Sequence, residues 1–170
     1  LGILSLADGY TDPFYKRFTT SKQNNLILGT SRSAQSLQPI FINEILNREF
    51  LNYSFTIVHS PYGPTYLKSI KKKLNSKTKN GIFIVTVDPW SLSCKTNDPD
   101  DTLNFGERKL CLGNTEFVNM NPNYEYLIKN LKGNYYTILK RSAKSMFLHE
   151  DGWLEVSVSM DSVSSKNRLD

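Results

Sequence analysis

No run of apolar residues in this chain approaches the roughly twenty that a membrane-spanning helix requires, so nothing within residues 1–170 reads as a span. Cysteine is scarce: there are 2, Cys94 and Cys111. They form no CxxC pair and no histidine stands at ligand spacing, which argues against a zinc site and leaves no metal expected. Neither a GxGxxG pattern nor a GKS/GKT ending occurs, so dinucleotide and P-loop nucleotide binding lack their glycine cradles. With 9 Gly and 7 Pro, collagen-like and low-complexity sequence are excluded too. No internal repeat and no internal boundary divides the chain. What is present is a globular composition, 39% hydrophobic and 12% aromatic, long enough to bury a real core as one domain over residues 1–170.

Basic residues outnumber acidic ones 21 to 16, a net charge of +5. Much of the excess is gathered in Lys68, Lys71, Lys72, Lys73, Lys77 and Lys79. From Thr65 to Asn75 the apolar positions Tyr66, Leu67, Ile70 and Leu74 recur at helical spacing, which assigns the lysines to a solvated opposite face. No aromatics interleave with them to stack bases, so no nucleic-acid partner is expected. Residues 97–101, NDPDD, hold oxygen ligands without EF-hand spacing and read as a solvated loop. In an exported protein Cys94 and Cys111 would be able to close a surface loop, stabilising it by about 3 kcal/mol; in a reducing compartment they are two thiols.

Three short apolar runs alternate with helical patterns. Residues 25–28 end at Gly29, and Pro39 then opens a segment with Phe41, Ile42, Ile45 and Leu46 at helical spacing. Residues 54–58 lead through SPYGP into the lysine-bearing helix. Residues 81–87, GIFIVTV, are rich in β-branched side chains and read as a central buried strand. This β-α-β-α-β order predicts an α/β fold: an open three-layer sheet of parallel strands. Beyond Val87 a long excursion is expected, then a helix capped by Asn121-Pro122 and stopped by Gly133. Near the C-terminus, Met146 to Met160 reads as a β-hairpin turning at Glu150-Asp151-Gly152. The opening LGILSL fits the tail of a removed hydrophobic segment, an edge strand or a tether.

The segment that carries chemistry is LILGTSRSAQSLQP, residues 26–39, where a strand runs through Gly29-Thr30-Ser31-Arg32-Ser33 into a helix. In open α/β sheets, ligands bind beyond the carboxyl ends of strands. Ser31 would stand there, with backbone N–H groups nearby to stabilise an oxyanion. Capping of the helix is the plainer use for Thr30 and Ser31.

LILGTSRSAQSLQP resembles the first motif of the SGNH (GDSL-like) hydrolases, in the variant that carries Gly-Ser/Thr-Ser-Arg. The resemblance covers the first three strands, roughly residues 25–90. It implies a flavodoxin-like SGNH sheet, incomplete here, with residues 1–170 the amino-terminal portion of a longer domain. It implies Ser31 as nucleophile and, through its N–H, as one oxyanion donor. Gly63 in SPYGPTY corresponds to the family's glycine after the second strand, the other oxyanion candidate. Thr30, Arg32, His59 and Asp88 would line the site. Asp88 stands where the family has an oxyanion-donating Asn, and a carboxylate cannot donate. The family's Asp-x-x-His motif is absent from these residues, so this stretch alone is expected to be inactive.

The implied activity is that of a serine esterase or O-acyltransferase on acyl esters, including those of glycans, with no cofactor. The expected partner is an ester or glycan substrate, the expected place extracytoplasmic (periplasmic or cell-surface), with a membrane tether upstream of Leu1. The competing reading is a catalytically inactive carbohydrate-binding or assembly protein of the same fold. In that case Tyr62, Tyr66, Trp90 and Trp153 are the aromatics available to stack on sugars.

Overall fold

The structure, a computed structural model, describes residues 2–93, 98, 100–101, 103–132, 134–139 and 145–158. Its centre is a parallel sheet of three strands, β1 (Leu26–Leu28), β2 (Leu51–Asn52) and β3 (Phe83–Val85), in the order β2-β1-β3. Two helices, α1 (Ser31–Ser36) and α2 (Pro39–Leu46), link β1 to β2, and α3 (Pro64–Lys73) links β2 to β3. The chain therefore moves one way from β1 and returns past it, so the winding reverses between β1 and β3. Two further helices, α4 (Cys111–Asn114) and α5 (Tyr124–Asn130), follow, and an antiparallel hairpin, β4 (Met146–Leu148) with β5 (Leu154–Val156), closes the described chain. The α/β character and the hairpin agree with the expectation from sequence.

Alternation along the strands sorts the two faces. Leu26 and Leu28 join Leu51, Tyr53 and Phe55 in the main core, where α3 adds Tyr66 and Ile70 and α5 adds Tyr126 and Leu127. Ile27 and its register partner Asn52 point the other way. There the Asn52 side-chain amide donates to the carbonyls of Ser33 (2.9 Å) and Leu37 (2.8 Å), fixing α1 to the sheet. Ala34 of α1 then packs on Leu148 and Leu154 of the hairpin.

Several expectations need correction. The second strand pairs at Leu51–Asn52 rather than over 54–58, although Tyr53 and Phe55 still donate to the Ile27 and Gly29 carbonyls (2.8 and 3.1 Å). Residues Ile57 and Val58 lie past the ladder, in a turn. The third run is an edge strand, not a central one: Phe83 and Val85, in register with Leu26 and Leu28, are both exposed. Lys73 does not share the solvated face, because the helix ends there and its side chain is wholly buried. Asn123, not Asn121, caps α5, its side chain accepting the Tyr126 N–H at 3.0 Å. Gly133, Met160 and Cys94 lie outside the described residues, and with them the expected helix stop, the end of the hairpin and one of the two thiols that a bridge would join.

At the N-terminus, Leu4–Leu6 forms a 3-10 turn with Leu4 in the core, not an edge strand. Among the described residues no helix is long and apolar enough to cross a membrane.

Candidate functional site

Gly29 ends β1 where space is tightest. A Cβ there would stand 2.0 Å from the Thr86 hydroxyl and 2.7 Å from the Ser33 Cβ, so only glycine lets β1, α1 and the end of β3 converge. Its N–H donates to the Tyr66 hydroxyl (3.3 Å), which donates in turn to the Tyr53 carbonyl (2.7 Å). The strand end is thus anchored from beneath, and the residues that follow it emerge at the carboxyl edge of the sheet.

Thr30 is buried at the amino cap of α1, and its hydroxyl donates to the Asp88 carboxylate at 3.2 Å. This bond spans the gap between β1 and β3, where the winding reverses. Asp88 also folds its own loop: its other oxygen accepts the Ser91 N–H (2.9 Å), and the Ser91 hydroxyl donates to the Asp88 carbonyl (2.7 Å). Its two carboxylate oxygens are therefore used as acceptors, one on each side of the reversal.

Ser31, the first residue of α1, is half-buried, and its hydroxyl has no hydrogen-bond partner among the described residues. Arg32 is exposed; its backbone carbonyl accepts the Ser36 hydroxyl. Gly63 caps α3, and its N–H donates to the Pro61 carbonyl at 2.7 Å. An oxyanion role for Gly63 would require that turn to open.

His59 is held elsewhere. Its Nδ1 meets the Thr56 hydroxyl at 2.6 Å and its ring lies against Phe14, with centroids 4.3 Å apart. Burial, helped by the nearby Lys132 charge, lowers its pKa to about 4, so the ring is neutral at pH 7. It faces a cavity of about 730 Å³ lined by Tyr10, Lys109, Cys111 and Tyr126, with Ser31 not among the lining residues. The second histidine, His149, stacks on Trp153 (4.6 Å) and pairs with Glu155 (2.9 Å) in the hairpin. The structure thus brings Thr30 and Asp88 together beside Ser31 and ties both histidines to other partners.

Of the aromatics named for sugar stacking, Tyr66 is fully buried, and Trp153 donates its indole N–H to the Gln35 carbonyl (2.7 Å). Tyr62 is half-buried and Trp90 is exposed. Sequence reasoning overlooked Glu107, a buried acid in the excursion after β3. Its segment has no period, so nothing local marked it. No group of His, Cys, Asp and Glu able to hold a metal occurs among the described residues. No family model, no curated protein and no solved structure matches the chain.

Proposed function

We propose that the chain carries the nucleophile of an SGNH-like serine esterase or O-acyltransferase, with Ser31 attacking the carbonyl of an acyl ester. The observation that carries this reading is the position of the Ser31 hydroxyl, without a hydrogen-bond partner among the described residues, at the start of α1 just past the central strand, by the reversal between β1 and β3. Ligand sites of open α/β sheets gather at that point. In the proposed step the Ser31 oxygen bonds to the acyl carbon and its proton passes to a base. The alcohol of the ester leaves with a proton, and water or a sugar hydroxyl then takes the acyl group. Thr30 and Asp88 hold the floor of the turn. The ester or glycan substrate, the extracytoplasmic setting and a membrane tether belong to the same proposal.

A second reading is a binding or assembly protein that keeps the fold without the chemistry. It is favoured by the Gly63 N–H, already bonded to Pro61, and by both histidines being engaged away from Ser31. A fluorophosphonate probe separates the two. Labelling of the full-length protein that disappears in Ser31→Ala supports the enzyme; no labelling under conditions that label a control serine esterase supports the binding role.

A further inference from the structure

Apart from the Ser31 turn, a cavity of about 450 Å³ opens at the carboxyl ends of β2 and β3. Ile57, Pro61 and Tyr62 come from the loop after β2, Trp90 and Leu92 from the segment after β3, and Phe105 from the excursion beyond. Ser31 lines none of it. Glu107 reaches into this cavity, although the residue is only 7% exposed. Its Oε1 lies 3.3 Å from where a Cβ on Gly63 would stand, so the glycine leaves room beside the carboxylate.

Among the described residues no donor and no basic side chain meets the Glu107 carboxylate. The hydroxyl and amide side chains of the cavity are engaged internally. Ser91 donates to the Asp88 carbonyl (2.7 Å), Ser93 to the Trp90 carbonyl (2.9 Å), Asn104 to Asp101 (2.6 Å) and Tyr62 to the Thr86 carbonyl (2.7 Å). The residue is buried but its carboxylate oxygens are not sealed off: they open into the cavity, where a bound group can reach them. The amino end of α3 at Gly63 favours a negative charge nearby, yet it occupies neither carboxylate oxygen.

We propose that this cavity binds an organic cation, an alkylammonium group on an apolar body, with Glu107 as its counter-ion and Trp90 as the aromatic face over the charge. The pairing follows from what the walls lack. Their hydroxyl and amide side chains are engaged, and the one other side-chain donor, the Trp90 indole N–H, stands at the exposed rim, so the fixed charge of the cavity is the Glu107 carboxylate, which repels an anion and favours a cation. A divalent cation requires several oxygen ligands, and Glu107 is a single carboxylate in apolar surroundings. An ammonium needs one acceptor carboxylate and gains from an aromatic face. Trp90, 64% exposed at the rim, can turn its ring over a bound group without unfolding anything. The volume suits a small organic molecule. This site is independent of the Ser31 reading and stands or falls without it.

The test is a titration of the full ¹⁵N-labelled chain with choline and, separately, with 3,3-dimethylbutan-1-ol, its uncharged isostere. The amides of Gly63, Gly106 and Glu107 report binding. Choline is expected to shift these amides saturably and to bind at least about tenfold more tightly than the alcohol, a difference of about 1.4 kcal/mol. Glu107→Gln should abolish that preference while the alcohol's affinity stays unchanged. Should Glu107→Gln not fold, Trp90→Leu at the exposed rim carries the test, and it should weaken choline binding. Equal binding of the two probes overturns the proposal, as does the absence of saturation or a Glu107→Gln variant that holds choline as well as the native chain. Saturation by glucose at lower concentration than choline would assign the cavity to sugars instead.

Discussion

The two edges of the central sheet are finished in opposite ways. At the β2 edge everything is covered. Leu51 and Asn52 are buried, and the Asn52 N–H donates outward to the Asp151 carbonyl of the hairpin turn at 2.8 Å. Arg17, wholly buried, ties the same edge together: Nε donates to the Asn52 carbonyl (2.9 Å), and the two terminal nitrogens to the carbonyls of Pro13 (2.8 Å) and Gly152 (2.6 Å). At the β3 edge, Phe83, Val85 and Val87 are exposed, and no backbone bond from them leads outward among the described residues. An edge can be closed by polar side chains that take up its backbone groups, or it can remain a row of unpaired groups beside apolar side chains. Here one sheet does both, and its stability should therefore be lopsided.

The largest effect should come from breaking the closed edge at Arg17. Burial lowers its pKa to about 10, and among the described residues no carboxylate pairs with it to offset that cost. Its guanidinium meets backbone carbonyls and the face of Phe55, 5.2 Å from the ring centre. Arg17→Ala removes donors from three carbonyls and leaves a cavity beside Phe55. We expect a loss of about 3–5 kcal/mol in urea unfolding. A loss under about 1 kcal/mol would mean that the carbonyls are satisfied without the guanidinium.

Next comes the turn that Arg17 grips. Gly152 has φ 82°, and a Cβ there would stand 2.1 Å from the Asn52 carbonyl oxygen. Left-handed backbone and a clash with main chain act together, so Gly152→Ala should cost about 2–4 kcal/mol. Loss of the Arg17–Gly152 contact implies that the two effects do not add, and the double variant should cost less than the sum. Full additivity in that cycle would show that the turn and the arginine are independent.

What the sequence disclosed and what it concealed divide along the same line. The Gly29 turn, the Pro39 helix start and the hairpin around Gly152 were legible because each is a local signal: a glycine at a tight turn, a proline at a first turn, an alternating run. Arg17 was not legible. It sits in YKRF, without periodicity, and its partners Asn52 and Gly152 lie 35 and 135 residues away. Lys73 escaped for a similar reason, since helical spacing counts it with its lysine neighbours while the end of α3 turns it inward. Residues 81–87 misled in the other direction: β-branched richness states what a strand could bury, and only the register on β1 states what is covered. Of the candidate site, the position of Ser31 past the carboxyl end of β1 followed from strand order, whereas the Thr30–Asp88 bond, the engagement of His59 by Thr56 and the solitude of Glu107 depend on contacts no spacing encodes.

Lys73 gives a gentler way to sharpen the comparison, through pH. Its ammonium donates to the Thr20 and Val118 carbonyls, each at 2.6 Å, with no acid paired to it among the described residues, and burial lowers its pKa from 10.5 to about 7. The folded chain therefore releases this proton more readily than the unfolded chain. Below about pH 7 both states are protonated and the burial cost is fully present; between about 7 and 10.5 the unfolded state binds more protons, so this group's contribution to stability rises with pH. Relative to Lys73→Met, the native chain should gain about 1 kcal/mol per pH unit across the lower part of that window. Denaturant midpoints of the two chains at pH 7 and pH 9 would show it, and parallel changes would mean that Lys73 titrates normally.

The smallest effect belongs to the open edge. Val85 is in register with Leu28, which is buried, yet half of Val85 itself is exposed at 50%. Its side chain buries little on folding, so Val85→Lys should change stability by no more than about 0.5 kcal/mol. The equivalent change one strand inward, Leu28→Ala, should cost about 2–5 kcal/mol. A lysine on an edge strand also discourages pairing with other strands, so Val85→Lys should reduce concentration-dependent association seen by light scattering while leaving the melting temperature nearly unchanged. If Val85→Lys instead destabilised the chain as much as Leu28→Ala does, the β3 edge would be covered in solution and the asymmetry between the two edges would vanish.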